Sequence, residues 1–331
     1  MLVTSNQYIS MKELLSSNLY CPFSSHINKY VDVLEKHALE WVLHFNILVN
    51  ESSYKRFCKS KFFFLAASAY PHCQLEELKI ANDWLSWVFI WDDQCDLSNL
   101  GRQPDVLKAF HKRFLEILNG AELTSNDIPL AYALSDLRRR ILQRGSKEWF
   151  HYFVDRYEGY FDGCVQEAIN RAQEITPDIE SYMLIRRLSL GGYLCLALME
   201  FCNYLTIPDF LRNHEVMKEL KVMTINILAW CNDIFSVHRE MSSGDVHNLV
   251  LLIHYQQNIY LEKAIVAAIE MHDKEVNCLQ KFELSIPSFG EELDAELAKY
   301  ISGIHSWIFA NLTWYSHSGR YETIERLELA K

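Results

Sequence analysis

Apolar residues recur at three- and four-residue spacing through almost the whole chain, while runs that alternate at period two are few and short. That spacing aligns one face of each segment at the pitch of an α-helix, so the fold expected is all-α. The segments read as helices are 28–49, 53–68, 74–95, 104–119, 128–143, 146–172, 178–205, 211–241, 246–256, 260–280, 290–315 and 321–329. Breakers fall between them: Asn99 to Pro104, Asn119-Gly120, Asn126 to Pro129, Thr176-Pro177-Asp178, Ser242 to Asp245 and Ser285 to Gly290.

None of these loops is long or biased enough to be a linker, and no repeat is present. Residues 1–331 therefore read as a single domain, with 1–20 as a flexible N-terminal arm. With half of its residues hydrophobic and 23% charged, a chain of 331 residues can bury one deep core around an interior cavity. The formal charge of −11 repels phosphate backbones and anionic lipid, which excludes nucleic acid as a partner. An anionic substrate would need local divalent cations and arginines to reverse that field.

Nine scattered cysteines without a C-x-x-C pair, and a start that lacks the regions of a signal peptide, point to the cytoplasm. The most apolar stretch, Leu190 to Leu205, is interrupted by Glu200 and Asn203 and is too short to span a bilayer, so no membrane insertion is expected.

Two oxygen-rich constellations stand out. In the first, the apolar segment Trp84 to Trp91 runs into Asp92, Asp93 and Asp96. Asp92 and Asp96 share a helical face with Asp93 beside them, at a helix end whose dipole is already negative. A hard cation such as Mg2+ would relieve that crowding; a solvated acidic helix end is the plainer alternative. In the second, Asn232, Ser236 and Glu240 fall at i, i+4 and i+8 after another apolar run, with Arg239 adjacent. Amide, hydroxyl and carboxylate oxygens then line one face as a chelate for a further cation, or as an ordinary polar stripe.

These residues resemble the class I terpene synthases, in particular the bacterial single-domain type. Asp92-Asp93-x-x-Asp96 is similar to the family's aspartate-rich motif, and Asn232-Asp233-x-x-Ser236-x-x-Arg239-Glu240 to its second metal motif. Arg320-Tyr321 looks like its C-terminal pair, and Gly244-Asp245-x-x-Asn248-Leu249-Val250 like the stretch after the second motif. Tyr70-Pro71 and Arg186 to Gly191 extend the resemblance over residues 70 to 321.

The resemblance implies a helical bundle around a deep apolar cavity with the two motifs facing across its mouth. It implies Asp92 as a metal ligand, Asp93 and Asp96 in supporting roles, and Asn232, Ser236 and Glu240 as a second chelate for Mg2+, three ions in all. Arg239, Arg320 and Tyr321 would contact diphosphate. The diphosphate-sensing arginine falls on Arg186 or Arg187. Arg187 is preferred, because Gly191 then takes the effector position four residues on, although Leu190 between them cannot hydrogen-bond.

The implied reaction is Mg2+-dependent ionisation of a prenyl diphosphate, with farnesyl diphosphate preferred over its geranyl and geranylgeranyl counterparts, and cyclisation of the cation to a terpene hydrocarbon or alcohol. Lewis-acid metals and arginines meet the charge that develops on the leaving group. A dry aromatic container protects the cation. Phe63, Trp87, Phe89, Trp307 and Trp314 are the candidates for its walls. His238 and His247 receive no role, because Mg2+ prefers oxygen. Cys95 and Cys231 read as packing residues. A homodimer is the assembly considered. The rival functions are an isoprenyl diphosphate synthase, which the Asn/Ser/Glu second motif disfavours, and a non-catalytic helical isoprenoid-binding protein.

Overall fold

Caps and prolines set where the helices begin. Asn50 and Ser53 form a reciprocal capping box, Ser146 accepts from Trp149 N, Asp178 accepts from Ser181 N, and Pro104 and Pro129 occupy first turns, where a missing N–H costs nothing. A computed structural model describes residues 19–321, apart from the side chains of Asp96 and Leu97. Its helices are α1 (Val31–His44), α2 (Glu51–Ser60), α3 (Phe62–Ala69), α4 (Leu75–Leu97), α5 (Pro104–Leu118), α6 (Pro129–Leu142), α7 (Lys147–Gln173) and α8 (Ile179–Ser189). They continue as α9 (Gly192–Cys202), the short α10 (Asp209–Arg212), α11 (Glu215–Ser243), α12 (Leu249–Gln257), α13 (Leu261–Glu283) and α14 (Glu291–His317). A 3₁₀ turn, Asn99–Arg102, follows α4, and no strand occurs among the described residues.

The expected helix at 53–68 is two helices, because Lys61 takes a left-handed conformation (φ 52°) that re-aims the chain between Ser60 and Phe62. The expected 178–205 helix is also two, broken at Gly191, whose φ of 76° favours a residue without a Cβ. The expected 28–49 helix is trimmed to α1. Before it, the Asn28 amide donates to the carbonyls of Tyr70 and Cys73 at 2.9 and 2.8 Å; after it, Asn46 turns left-handed. The expected 321–329 helix, like most of the N-terminal arm, lies outside the described residues.

The 29-residue α11 is the spine of the bundle. Its apolar positions from Val216 to Val237, apart from Val222 and Met223, are buried, and it packs against α13, α12, α14 and α9. Leu190 to Leu205 is the buried helix expected, formed by α9 and its flanks. Two stretches, Ile179–Cys202 and Glu215–Ser243, are long and apolar enough to cross a membrane, but 83% of the second one's apolar window is inside the bundle. Helices α4, α7, α9, α11 and α14 bring their apolar faces together, and α4 and α11 end at the same mouth.

Candidate active site

The aspartate-rich wall is the last turn of α4. Trp84, Trp87 and Trp91 are buried in the bundle, each contributing about 2–3 kcal/mol of apolar transfer, which holds the turn at the surface of the core. Trp91 Nε1 donates to His111 Nε2 at 3.2 Å, and the His111 ring stacks on Phe161. Burial lowers the pKa of His111 to about 3, so it is a neutral acceptor. Arg320 reaches this wall from the C-terminal end, donating from Nη2 to Asp92 at 3.1 Å and from Nη1 to Asp93 at 2.9 Å. The guanidinium also lies 5.2 Å from the Phe89 ring centroid. Burial opposes the Arg320 charge, but Asp93, Tyr321 and Asp92 outweigh it and hold its pKa above the usual arginine range. Burial pushes the Asp92 carboxyl up while Arg320 and Arg239 pull it down; 44% of the side chain stays open to the cavity, so water moderates that rise. The Asp96 side chain lies outside the described residues.

The second wall is the C-terminal half of α11. Asn232 Oδ1 accepts from Arg186 Nη2 at 2.6 Å, while its Nδ2 donates to the hydroxyls of Tyr315 and Tyr321 at 2.6 and 3.2 Å. Two hydroxyls and a guanidinium thus fix the amide's orientation. Glu240 Oε2 accepts from Asn248 Nδ2 at 2.7 Å; burial, then Asp233, pushes its pKa up to about 7, against the pull of Arg186 and Arg239. Ser236 is buried behind this face, its hydroxyl 3.5 Å from Asn248 Nδ2, and is not among the cavity-lining residues. Arg239 lines the mouth over the Tyr321 ring.

Behind both stands Asp233, fully buried, to which the sequence reading gave no role. It accepts from Tyr182 Oη, from Arg186 Nη2 at 2.9 Å and from Leu249 N at 2.8 Å. Its neighbour Asn248 caps α12 and donates to the Asp233 carbonyl at 2.8 Å. The available signal was a lone carboxylate on an otherwise apolar helical face.

Of the two candidate arginines, the preferred Arg187 lies away from the cavity. Arg186 lines the cavity, whereas Arg187 donates to Asn226 Oδ1 at 2.8 Å, and Asn226 in turn holds Glu275 of α13. Adjacent helical residues point about 100° apart, so only one of the pair can face the site. Gly191 does line the cavity, five residues after Arg186.

Below the two walls lies a cavity of about 1120 Å3, its deeper part bounded by Trp84, Val88, Phe89, Phe153, Tyr157, Tyr160, Leu194, Leu198 and Phe235. Of the five aromatic candidates, Phe89 is in the lining; Phe63, Trp87, Trp307 and Trp314 are not. Trp87 donates to the Leu130 carbonyl at 2.8 Å and packs on Phe114. Trp314 donates to the Ser60 carbonyl at 2.7 Å, and Trp307 packs edge-on to Tyr70. All three tryptophans are core, and Phe63 packs at the core's margin. Trp84, Phe153, Tyr157 and Tyr160 take the wall positions instead.

The donor set fits a hard divalent cation. Every group offered at the mouth by Asp92, Asp93, Asn232 and Glu240 is an oxygen, and Asp92 is open to the cavity. Among the described residues no three acidic, histidine or cysteine groups converge as a ready-made cluster.

An all-helical bundle with two oxygen-donor faces over an apolar cavity agrees with the family that the motifs resemble. Residues 83–277 match the model described as terpene synthase family 2, C-terminal metal binding, and the chain belongs to that family. It is a terpene synthase that uses a divalent metal and a prenyl diphosphate. The chain is 62% identical over 321 residues to germacrene A synthase of Nostoc punctiforme (strain ATCC 29133 / PCC 73102), covering 97% of this chain and 99% of the relative. It is 36% identical over 305 residues to (+)-T-muurolol synthase ((2E,6E)-farnesyl diphosphate cyclizing) of Roseiflexus castenholzii (strain DSM 13941 / HLO8), covering 92% and 93%. The crystal structure of germacradien-4-ol synthase from Streptomyces citricolor shares the fold, with a TM-score of 0.80 at 24% identity over 91% of this chain and 98% of that one.

Proposed function

We propose that the chain converts farnesyl diphosphate, with three Mg2+ ions, into a cyclic sesquiterpene, and that the germacrene skeleton is its product class. The observation that carries this reading is the convergence of Asp92 and Asp93 with Asn232 and Glu240 over one apolar cavity. The high identity to a germacrene A synthase supports the product class. When bound, the ions would serve as Lewis acids on the departing diphosphate.

The chain's own groups do the rest. Arg186, Arg239 and Arg320 supply fixed positive charge where the leaving group gains negative charge, and the Tyr321 hydroxyl adds a donor. Phe89, Phe153 and Tyr157 exclude water and turn electron-rich faces to the cation. Asp92, Asn232 and Glu240 would hold the ions, with Ser236, buried under Asn248, as the further oxygen of the second set. The reading includes a single domain, supported by one continuous buried cluster from Leu19 to Tyr315. It also includes a reducing cytoplasm, supported by nine free cysteines. The homodimer is read out by sedimentation.

The test is incubation with Mg2+ and geranyl, farnesyl and geranylgeranyl diphosphates in turn, with mass spectrometry of the volatile extract. The expected result is a sesquiterpene from farnesyl diphosphate alone that disappears with a chelator. No volatile product from any of the three, or elongated diphosphates in their place, overturns it.

A further inference from the structure

Between the two walls, α7 presents Glu167 and Arg171, one turn apart, to the mouth of the cavity. Arg171 Nη2 donates to Glu167 Oε2 at 3.1 Å, and Arg171 Nε donates to Asp245 Oδ2 at 2.8 Å, in the loop after the second motif. The Arg171 carbonyl accepts from Arg102 Nη1 at 2.9 Å, in the turn after the aspartate-rich motif. That turn lies against the guanidinium: a Cβ on Gly101 would stand 3.7 Å from Arg171 Nη1 and 3.0 Å from the Cys95 carbonyl oxygen.

Glu167 also accepts from Ser189 Oγ, at the break between α8 and α9 where Leu190 has no polar group to offer. Asp245 takes two further donors from His247, its N–H at 3.0 Å and Nδ1 at 2.9 Å. Burial works against the Asp245 charge, yet His247 and Arg171 hold its carboxyl well below the usual range.

We infer that Glu167 and Arg171 are positioning residues that tie the turn 99–102, the loop 244–248 and the α8–α9 break into one unit, so that both walls close together on a diphosphate. The inference rests on the proposed function for its ligand. Its physical basis is a contiguous chain of charge-assisted hydrogen bonds that touches the exit of each metal motif. The Arg171 side chain holds the loop and its main-chain carbonyl holds the turn, so loss of the side chain severs the tie at the loop.

The test is hydrogen exchange of the whole protein titrated with Mg2+ plus inorganic diphosphate, which reads closure without turnover. In the wild type the backbone of 99–102 and 244–248 should gain protection at one shared midpoint. In Arg171→Gln the two midpoints should separate by about fivefold or more, as expected for lost coupling between sites. Arg171→Lys, which keeps the charge, should bring them part of the way back. With farnesyl diphosphate, and with kcat referred to the folded fraction measured by circular dichroism, Arg171→Gln should lower kcat more than it raises KM. A folded Arg171→Gln variant that closes at one midpoint overturns the tie and leaves the proposed function standing. A wild type that gains no protection from Mg2+ and diphosphate removes both. Should Arg171→Gln fail to fold, Glu167→Gln and Asp245→Asn are judged by the same midpoints.

Discussion

The two walls of the mouth are built in opposite ways. On the aspartate-rich wall, Asp92 and Asp93 sit at the negative end of α4, and Arg320 bridges the two carboxylates. Asp92 leaves 44% of its side chain open. On the α11 wall, Asn232 is held from both ends of its amide, Glu240 is held by Asn248, and the fully buried Asp233 anchors Arg186 and the start of α12. One wall is a pair of carboxylates partly open to the cavity; the other is a network whose side chains are held by hydrogen bonds to their neighbours. The difference suits a site that admits metal at the open wall and fixes its geometry at the rigid one.

The largest effect should come from removing a donor on either wall. Asp92→Ala and Asn232→Ala should each lower turnover by at least 10²–10³, on the order of what one electrostatic stabiliser contributes, while helical circular dichroism is retained. Full activity in either variant would break the comparison at its root.

Stability should separate the walls. Asp233→Asn leaves the buried Arg186 without its counter-charge and should cost about 3–5 kcal/mol in denaturant unfolding. An acid titration should sharpen the picture of what backs the aspartate-rich wall. His111, behind Trp91, has its folded pKa lowered to about 3, so its neutral form supports the fold above about pH 6.5 and that support is lost as pH falls towards 3. The unfolding free energies at pH 6.5 and 5 should differ by about 1.6 kcal/mol more in the wild type than in His111→Gln. The smallest effect is expected for Asp93→Asn. Arg320 keeps Asp92, and the cost should be about 1 kcal/mol. A loss as large as that of Asp233→Asn would mean that the two walls are equally rigid.

The fold was largely legible because a 3.6-residue period repeated over long segments admits one class of element. The break at Lys61 was not, since a lysine in left-handed conformation carries no local mark and only the packing of Phe57 and Phe62 on both sides demands it. The two motifs were legible because carboxylates at the end of an apolar helix are costly without a purpose. Arg186 could not be told from its neighbour, because what holds it and Tyr182 of the same helix is Asp233, far along the chain. The wall aromatics were confused with core ones for a related reason: Trp84 and Trp87 read alike in sequence, and only the tertiary packing turns one to the cavity and the other to Phe114. Glu167 and Arg171 went unnoticed because an i, i+4 acid–base pair in mid-helix is ordinarily a surface ion pair.

A crystal structure of the protein with Mg2+ and inorganic diphosphate tests the central claim most directly. The expected result is metal bound by Asp92 on one side and by Asn232 and Glu240 on the other, with Arg320 and Arg186 turned from those side chains to the diphosphate oxygens. Diphosphate bound away from the mouth, or arginines still paired as in the free protein with no ion between the walls, would contradict it.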